Sequence, residues 1–144
     1  MDYTQPKRKT KVVFVQLGSP SEPTTKALRK YLRKFLGDPR VVDINPWLWK
    51  IILNCFVLPF RPQKSAKLYA RIWDGKSFPL ITNTRDFTKN VSMELKKIDP
   101  EGHVEVNYAF LLSPPYVNEV YDSWEEDLKK GIGATKLLVI PMFP

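Results

Sequence analysis

Apolar positions in this 144-residue chain fall into two rhythms. Lys11 to Leu17 reads KVVFVQL, a near-continuous β-branched run closed by Gly18-Ser19-Pro20. That pattern predicts a first strand buried on both faces of a parallel sheet. From Pro23 and Thr24 the period changes: Ala27, Leu28, Tyr31, Leu32, Phe35 and Leu36 recur at helical spacing, with Lys26, Arg29, Lys30, Arg33 and Lys34 opposite them. Gly37-Asp38-Pro39 ends this helix. Arg40 to Ile44 is a short β-branched piece, after which Asn45-Pro46 supplies a cap and a first-turn proline for the Trp47 to Leu58 segment. Pro62 to Trp73 predicts another helix, and the turn-prone Asp74-Gly75 follows it. Thr84 to Ile98 repeats apolar residues at Phe87, Val91, Leu95 and Ile98 until Asp99-Pro100-Glu101-Gly102 breaks the pattern. Val104 to Leu112 reads as a second strand, Tyr116 to Leu128 as an amphipathic helix and Lys136 to Ile140 as a third strand. This order predicts an α/β domain over residues 11–144, with a parallel sheet ordered around the first strand and right-handed crossovers. Residues 1–10 read as a basic, flexible amino terminus.

The Trp47 to Leu58 segment is too apolar for an ordinary surface helix. Two readings stand: a core helix, or a helix in a membrane interface with Trp47, Trp49, Ile52 and Phe56 dipping inward. It is too short to span a bilayer, which takes about 20 apolar residues. No secretory signal is visible at the start. The apolar share, 43%, belongs to an ordinary globular chain. The single cysteine, Cys55, excludes an internal disulfide and suits a reducing compartment. Charge is divided unevenly: residues 1–75 carry 15 basic against 5 acidic side chains, and residues 76–144 carry 8 against 10. The first half is therefore the anion-facing half.

Candidate chemistry is sparse. Gly18-Ser19-Pro20 is neither a dinucleotide nor a P-loop fingerprint and reads as a tight turn. His103, the only histidine, reads as a surface turn residue with no metal-ligand spacing around it. Glu119, Asp122, Glu125, Glu126 and Asp127 share one face of an amphipathic helix and read as a solvated acidic surface. The aromatic residues near the basic helix lie on its apolar stripe rather than among its cations, which argues against nucleic acid. The chain stops at Pro141-Met142-Phe143-Pro144, although ligands of open α/β sheets bind just beyond the carboxyl ends of the strands. It reads as stopping where its site continues.

Four segments taken in order, VVFVQLGSP, LRKYLRKFLGDPRVVDI, NPWLWKIILNCFVLPFRPQKSAKLYARIW and LLVIPMFP, resemble the amino-terminal half of a bacterial ferrochelatase. The resemblance implies a Rossmann-like, chelatase-like domain of a two-domain cytoplasmic lyase of haem biosynthesis, in peripheral contact with the membrane. Such an enzyme inserts ferrous iron, its substrate, into protoporphyrin IX or coproporphyrin. It implies porphyrin-binding roles for Leu17, Gly18, Ser19 and Pro20, and for Arg61, Lys64, Tyr69 and Ile72 on the RPxKxxxxYxxI stretch. A flat apolar ring suits Leu, Ile and aromatic walls, and its propionates suit Arg or Lys. No cofactor, resident metal or catalytic residue is expected here, because the family's proton-accepting histidine and its partner glutamate belong to the second half. Two departures are plain: the family's Gly-Ser-Pro-Leu reads Ser77-Phe78-Pro79-Leu80, and the arginine of its Gly-Met-Arg-Tyr strand is Ala109. A sister chelatase of the cobalt or sirohaem type and a non-catalytic module that binds porphyrin or membrane remain alternatives.

Overall fold

A computed structural model describes residues 9–143, so the basic stretch expected at 1–10 lies, over residues 1–8, outside the described residues. Contacts divide the chain into two compact units, one of Met1–Leu17 with Asn83–Pro144 and one of Gly18–Thr82.

In the first unit, β1 (Thr10–Gln16), β2 (Val104–Phe110) and β3 (Lys136–Pro141) form a parallel sheet in the order β2-β1-β3. Thr10 stands opposite both Val104 and Lys136. The sheet is ordered around the first strand, as its near-continuous β-branched run predicts. Strand alternation sends Val13 and Val15 to one face, where they join Ala109 and pack against Val117 and Val120 of helix α5 (Val117–Lys129). Phe14 goes to the other face and meets Phe87 of helix α4 (Pro79–Ile98) edge-on at 5.1 Å. The two faces of the sheet are thus covered by different helices. β3, at the sheet's other edge, is less covered than β1: Leu138 is 50% exposed and Val139 47%.

Helix α5 opens where the Tyr116 N–H donates back to the Glu119 carboxylate at 2.9 Å, which satisfies one donor at the helix start. Its acidic side chains are met by Lys129 on Glu125 and Lys130 on Glu126, exposed pairs one turn apart. This is the solvated face that the sequence suggests. Helix α4 begins at Pro79, five residues before the expected Thr84, because proline's fixed φ and missing N–H suit a first turn. The Ile81 and Thr82 N–H groups donate to the Phe78 carbonyl and close that turn.

The second unit holds α1 (Thr25–Leu36), capped by the Thr24 hydroxyl, which accepts from the Ala27 N–H at 3.2 Å. The basic side chains opposite its apolar stripe are exposed. Arg40 to Ile44 stays out of the sheet: the Asp38 carboxylate accepts the Arg40 N–H and folds the start of that piece into a turn. Beyond it, α2 (Pro46–Ile52), a π-helical turn (Leu53–Val57) and α3 (Leu58–Ala70) run on without a break, where two separate helices were expected. The π turn has a packing consequence. Residues five apart on an α-helix stand about 140° apart, but the Leu58 N–H bonds the Leu53 carbonyl, and both leucines enter one core with Leu32 and Leu36.

Pro62, buried inside α3, explains the second irregularity. It has no N–H for the Leu58 carbonyl one turn back. The Arg29 guanidinium donates to that carbonyl instead, at 3.2 Å. The helix therefore continues through a residue that ordinarily stops one.

Trp47 is 79% exposed and Phe56 64%, so both face outward as an interfacial segment requires. Ile52 is only half-exposed. Trp49 is packed: its indole N–H donates to the Leu36 carbonyl at 2.6 Å and its ring lies against the leucine core. The outward apolar set is instead Trp47, Leu48, Ile51, Phe56 and Phe60. Among the described residues no helix is long and apolar enough to cross a membrane.

Candidate functional site

Within the second unit the turn after β1 is drawn inward. Gly18, Ser19 and Pro20 are all buried, and Gly18 holds φ at 94°, a conformation that a side chain would strain. The Gly18 carbonyl accepts a hydrogen bond from the Tyr31 hydroxyl at 3.2 Å. Burial, reinforced by Tyr69 nearby, pushes the Tyr31 phenol up to about 12, and burial also raises Tyr69. Tyr31 thus ties the Gly18 turn to α1, with Tyr69 of α3 near enough to act on it electrostatically. Helical periodicity alone assigns Tyr31 to the apolar stripe of α1, and only the hydroxyl at the end of the ring hints at this second contact.

Tyr69 packs edge-on against Phe78 at 5.4 Å, and Trp73 tilts on the same ring at 4.6 Å. The Asp74 carboxylate accepts the Ser77 and Lys76 N–H groups at 2.6 and 2.8 Å, which holds its pKa below the usual range and fixes the turn that delivers Phe78. The other residues expected on α3 point away from this aromatic cluster. Arg61 and Lys64 are exposed one turn apart, and Leu68 and Ile72 continue outward at helical spacing. With Phe56 and Phe60 before them, they make a solvent-facing band that is apolar but carries two cations. Gly18 and Tyr69 thus both lie near Tyr31, whereas Arg61, Lys64 and Ile72 are exposed to solvent.

Leu17 lies in the first unit, at the carboxyl end of β1, half-buried. That edge is knitted together: Leu17 O accepts from the Leu112 N–H at 2.9 Å, and the Gln16 side-chain amide donates to the Met142 carbonyl at 3.1 Å. Carboxyl ends of parallel strands are where ligands of such sheets bind. His103 is at the other end, where its carbonyl accepts from the Thr10 N–H. His103 lies in the turn before β2, as its place beside Gly102 suggests, but it is not without partners. Its ring nitrogens contact Asp99 at 2.7 Å and Glu101 at 3.2 Å. Asp99 also accepts the Val104 N–H, and these bonds, the imidazole's above all, lower its pKa. Among the described residues no group of three His, Cys, Asp or Glu side chains is arranged to hold a metal ion.

Replacing Tyr31 with phenylalanine keeps the ring and deletes the bond to Gly18, so the chain is expected to lose about 1 kcal/mol at neutral pH. A phenol whose pKa is raised by folding favours the folded state below its unfolded value of 10.0, and that contribution is lost as pH rises toward about 12. Urea titrations at pH 8, 10 and 11 are expected to show the gap between the two proteins constant at first and then closing. A gap that does not change with pH would mean that the hydroxyl is not held neutral by the fold.

A model of the ferrochelatase family matches residues 9–144. The chain is similar to a ferrochelatase of Herminiimonas arsenicoxydans, 42% identical over 137 residues that make up 94% of this chain and 35% of that protein. It is likewise similar to one from Idiomarina loihiensis, 39% identical over 133 residues, 92% of this chain and 35% of that protein. A third, from Psychrobacter arcticus, is 40% identical over 135 residues, 92% of this chain and 38% of its own length. The chain spans little more than a third of the curated relatives it matches.

Proposed function

The chain belongs to the ferrochelatase family, and from that membership we propose that it supplies walls and anchors of a porphyrin cleft in an enzyme that inserts ferrous iron into the macrocycle. The exposed band on α3 is the observation that carries the reading. Phe60, Leu68 and Ile72 offer the apolar surface that a flat ring needs, and Arg61 and Lys64 offer charge-assisted bonds to its propionates. Leu17, Gly18, Ser19 and Pro20 shape the turn at the strand end, and the Tyr31 hydroxyl holds that turn in place.

In the proposed reaction the cleft bends the macrocycle until its pyrrole nitrogens are accessible, and a base accepts their protons as iron enters. His103 does not suit that role. It sits at the amino edge of the sheet between two carboxylates, away from the strand ends where a ligand would lie. The general base therefore belongs to residues outside this chain, as in the family's second half. Trp47 and Phe56, with Leu48 and Ile51, form the outward surface proposed for peripheral membrane contact.

The test is a protoporphyrin titration followed by tryptophan quenching and the porphyrin spectrum. Arg61→Ala combined with Lys64→Ala is expected to weaken binding by about tenfold or more, since each side chain removes a bond to a charged group. Under anaerobic conditions with ferrous iron the chain alone is expected to metallate porphyrin no faster than the no-protein control. Metallation above that rate, abolished by His103→Ala, would overturn the assignment of the base, and unchanged binding by the double variant would overturn the assignment of the anchors.

A further inference from the structure

Among the described residues the outer edge of β2 has no strand paired to it, and cations border it. The Thr10 N–H donates to the His103 carbonyl at 2.7 Å and the Leu111 N–H to the Gln16 carbonyl at 3.0 Å. These two bonds set the phase of the parallel ladder: odd-numbered residues of β2 bond β1, and even-numbered residues turn their N–H and C=O groups outward. Both ends of the outward row are closed. The Val104 N–H donates to Asp99, and the Phe110 N–H donates to the Pro115 carbonyl at 2.8 Å. Among the described residues nothing bonds the outward N–H and C=O groups of Val106 and Tyr108.

A groove of about 380 Å³ runs along this window, walled on its other side by α4. Arg85, Lys89, Ser92 and Lys96 of α4 line it at helical spacing, and no carboxylate does. Arg85 has Asp86 beside it at 3.5 Å, whereas Lys89 and Lys96 form no ion pair among the described residues. Arg85 and Lys96 stand about 16 Å apart along the helix, the length of about five residues of extended chain.

We propose that this groove docks a short extended segment of an acidic partner protein, which adds a strand at Val106 and Tyr108 and sets alternate carboxylates against Arg85, Lys89 and Lys96. The edge offers carbonyl acceptors as well as N–H donors. A free anion could use only the donors, whereas a backbone uses both. The lysines discourage pairing with neutral or basic strands, the usual hazard of an open edge, and so select for acidic ones. The closed ends fix the register.

A fluorescein-labelled seven-residue peptide of alternating glutamate and valine, titrated into the 144-residue chain, is expected to bind saturably and to slow hydrogen exchange at Val106 and Tyr108. The same peptide N-methylated at alternate amides is expected to bind about tenfold more weakly or worse, because it keeps the charge and loses the strand pairing. Lys89→Glu with Lys96→Glu is expected to abolish binding. Val106→Pro, which removes an outward donor and leaves the β1 ladder intact, is expected to weaken it. Absence of saturable binding overturns the proposal, as does equal binding of the methylated peptide. Circular dichroism checks that the variants fold, and the methylated peptide keeps the test on the unaltered chain if Val106→Pro does not.

Discussion

Phe78→Ala is expected to cost about 3–5 kcal/mol, the range for removing a buried aromatic side chain. Phe78 is 2% exposed, and its ring is the shared surface on which Tyr69 and Trp73 rest. Its carbonyl also starts α4, but the alanine variant keeps that group, so the loss comes from the side chain alone. Set against a typical domain stability of about 5–15 kcal/mol, the loss would leave a substantial unfolded fraction. Denaturation in urea, followed by tryptophan fluorescence, measures it. The serine that the family carries at this position would do no better, since it would leave the same void and add a hydroxyl to bury. A loss under about 1 kcal/mol would show that Tyr69 and Trp73 do not depend on the ring.

Ala109→Arg restores the arginine of the family pattern, and it is expected to unfold the sheet rather than to gain affinity for porphyrin. Ala109 is 0% exposed and sits with Val13 and Val15 beneath Val117 and Val120 of α5. A guanidinium there would be an unpaired charge in an apolar layer, too large for the space and costing several kcal/mol. Circular dichroism and thermal melting of the variant check the expectation. A folded variant with tighter porphyrin binding would mean that position 109 opens toward the ligand.

These positions mark how far the sequence can be read. The three strands were legible because β-branched runs bounded by Gly and Pro have few alternatives, and β1 holds to them almost residue by residue. The apolar stripe of α1 was equally plain. The continuous run of α2, the π turn and α3 was not, because proline at 62 is a stop signal by local rules, and only a distant arginine cancels it. The inward face of Ala109 was hidden for a related reason: on a buried parallel strand both faces are apolar, so the pattern does not say which side a small residue takes. At the candidate site, Arg61 and Lys64 could be read from the motif. Tyr31 could not, since its stripe accounts for the ring and nothing local accounts for the hydroxyl.

The bond from Arg29 to the Leu58 carbonyl links two residues that a sequence comparison would treat as independent. Pro62 creates the orphan acceptor and Arg29 satisfies it, so each is under constraint only while the other is present. In relatives with an ordinary residue at the position of Pro62, the carbonyl regains its own helix partner and the arginine is released to drift. Lysine is a poor exchange, because the donor here is the Nε of a planar guanidinium rather than a terminal ammonium. The expected trace is covariation: across the family, arginine at 29 should be retained together with proline at 62 and lost together with it, while Lys26 and Lys30 on the same basic face interchange freely.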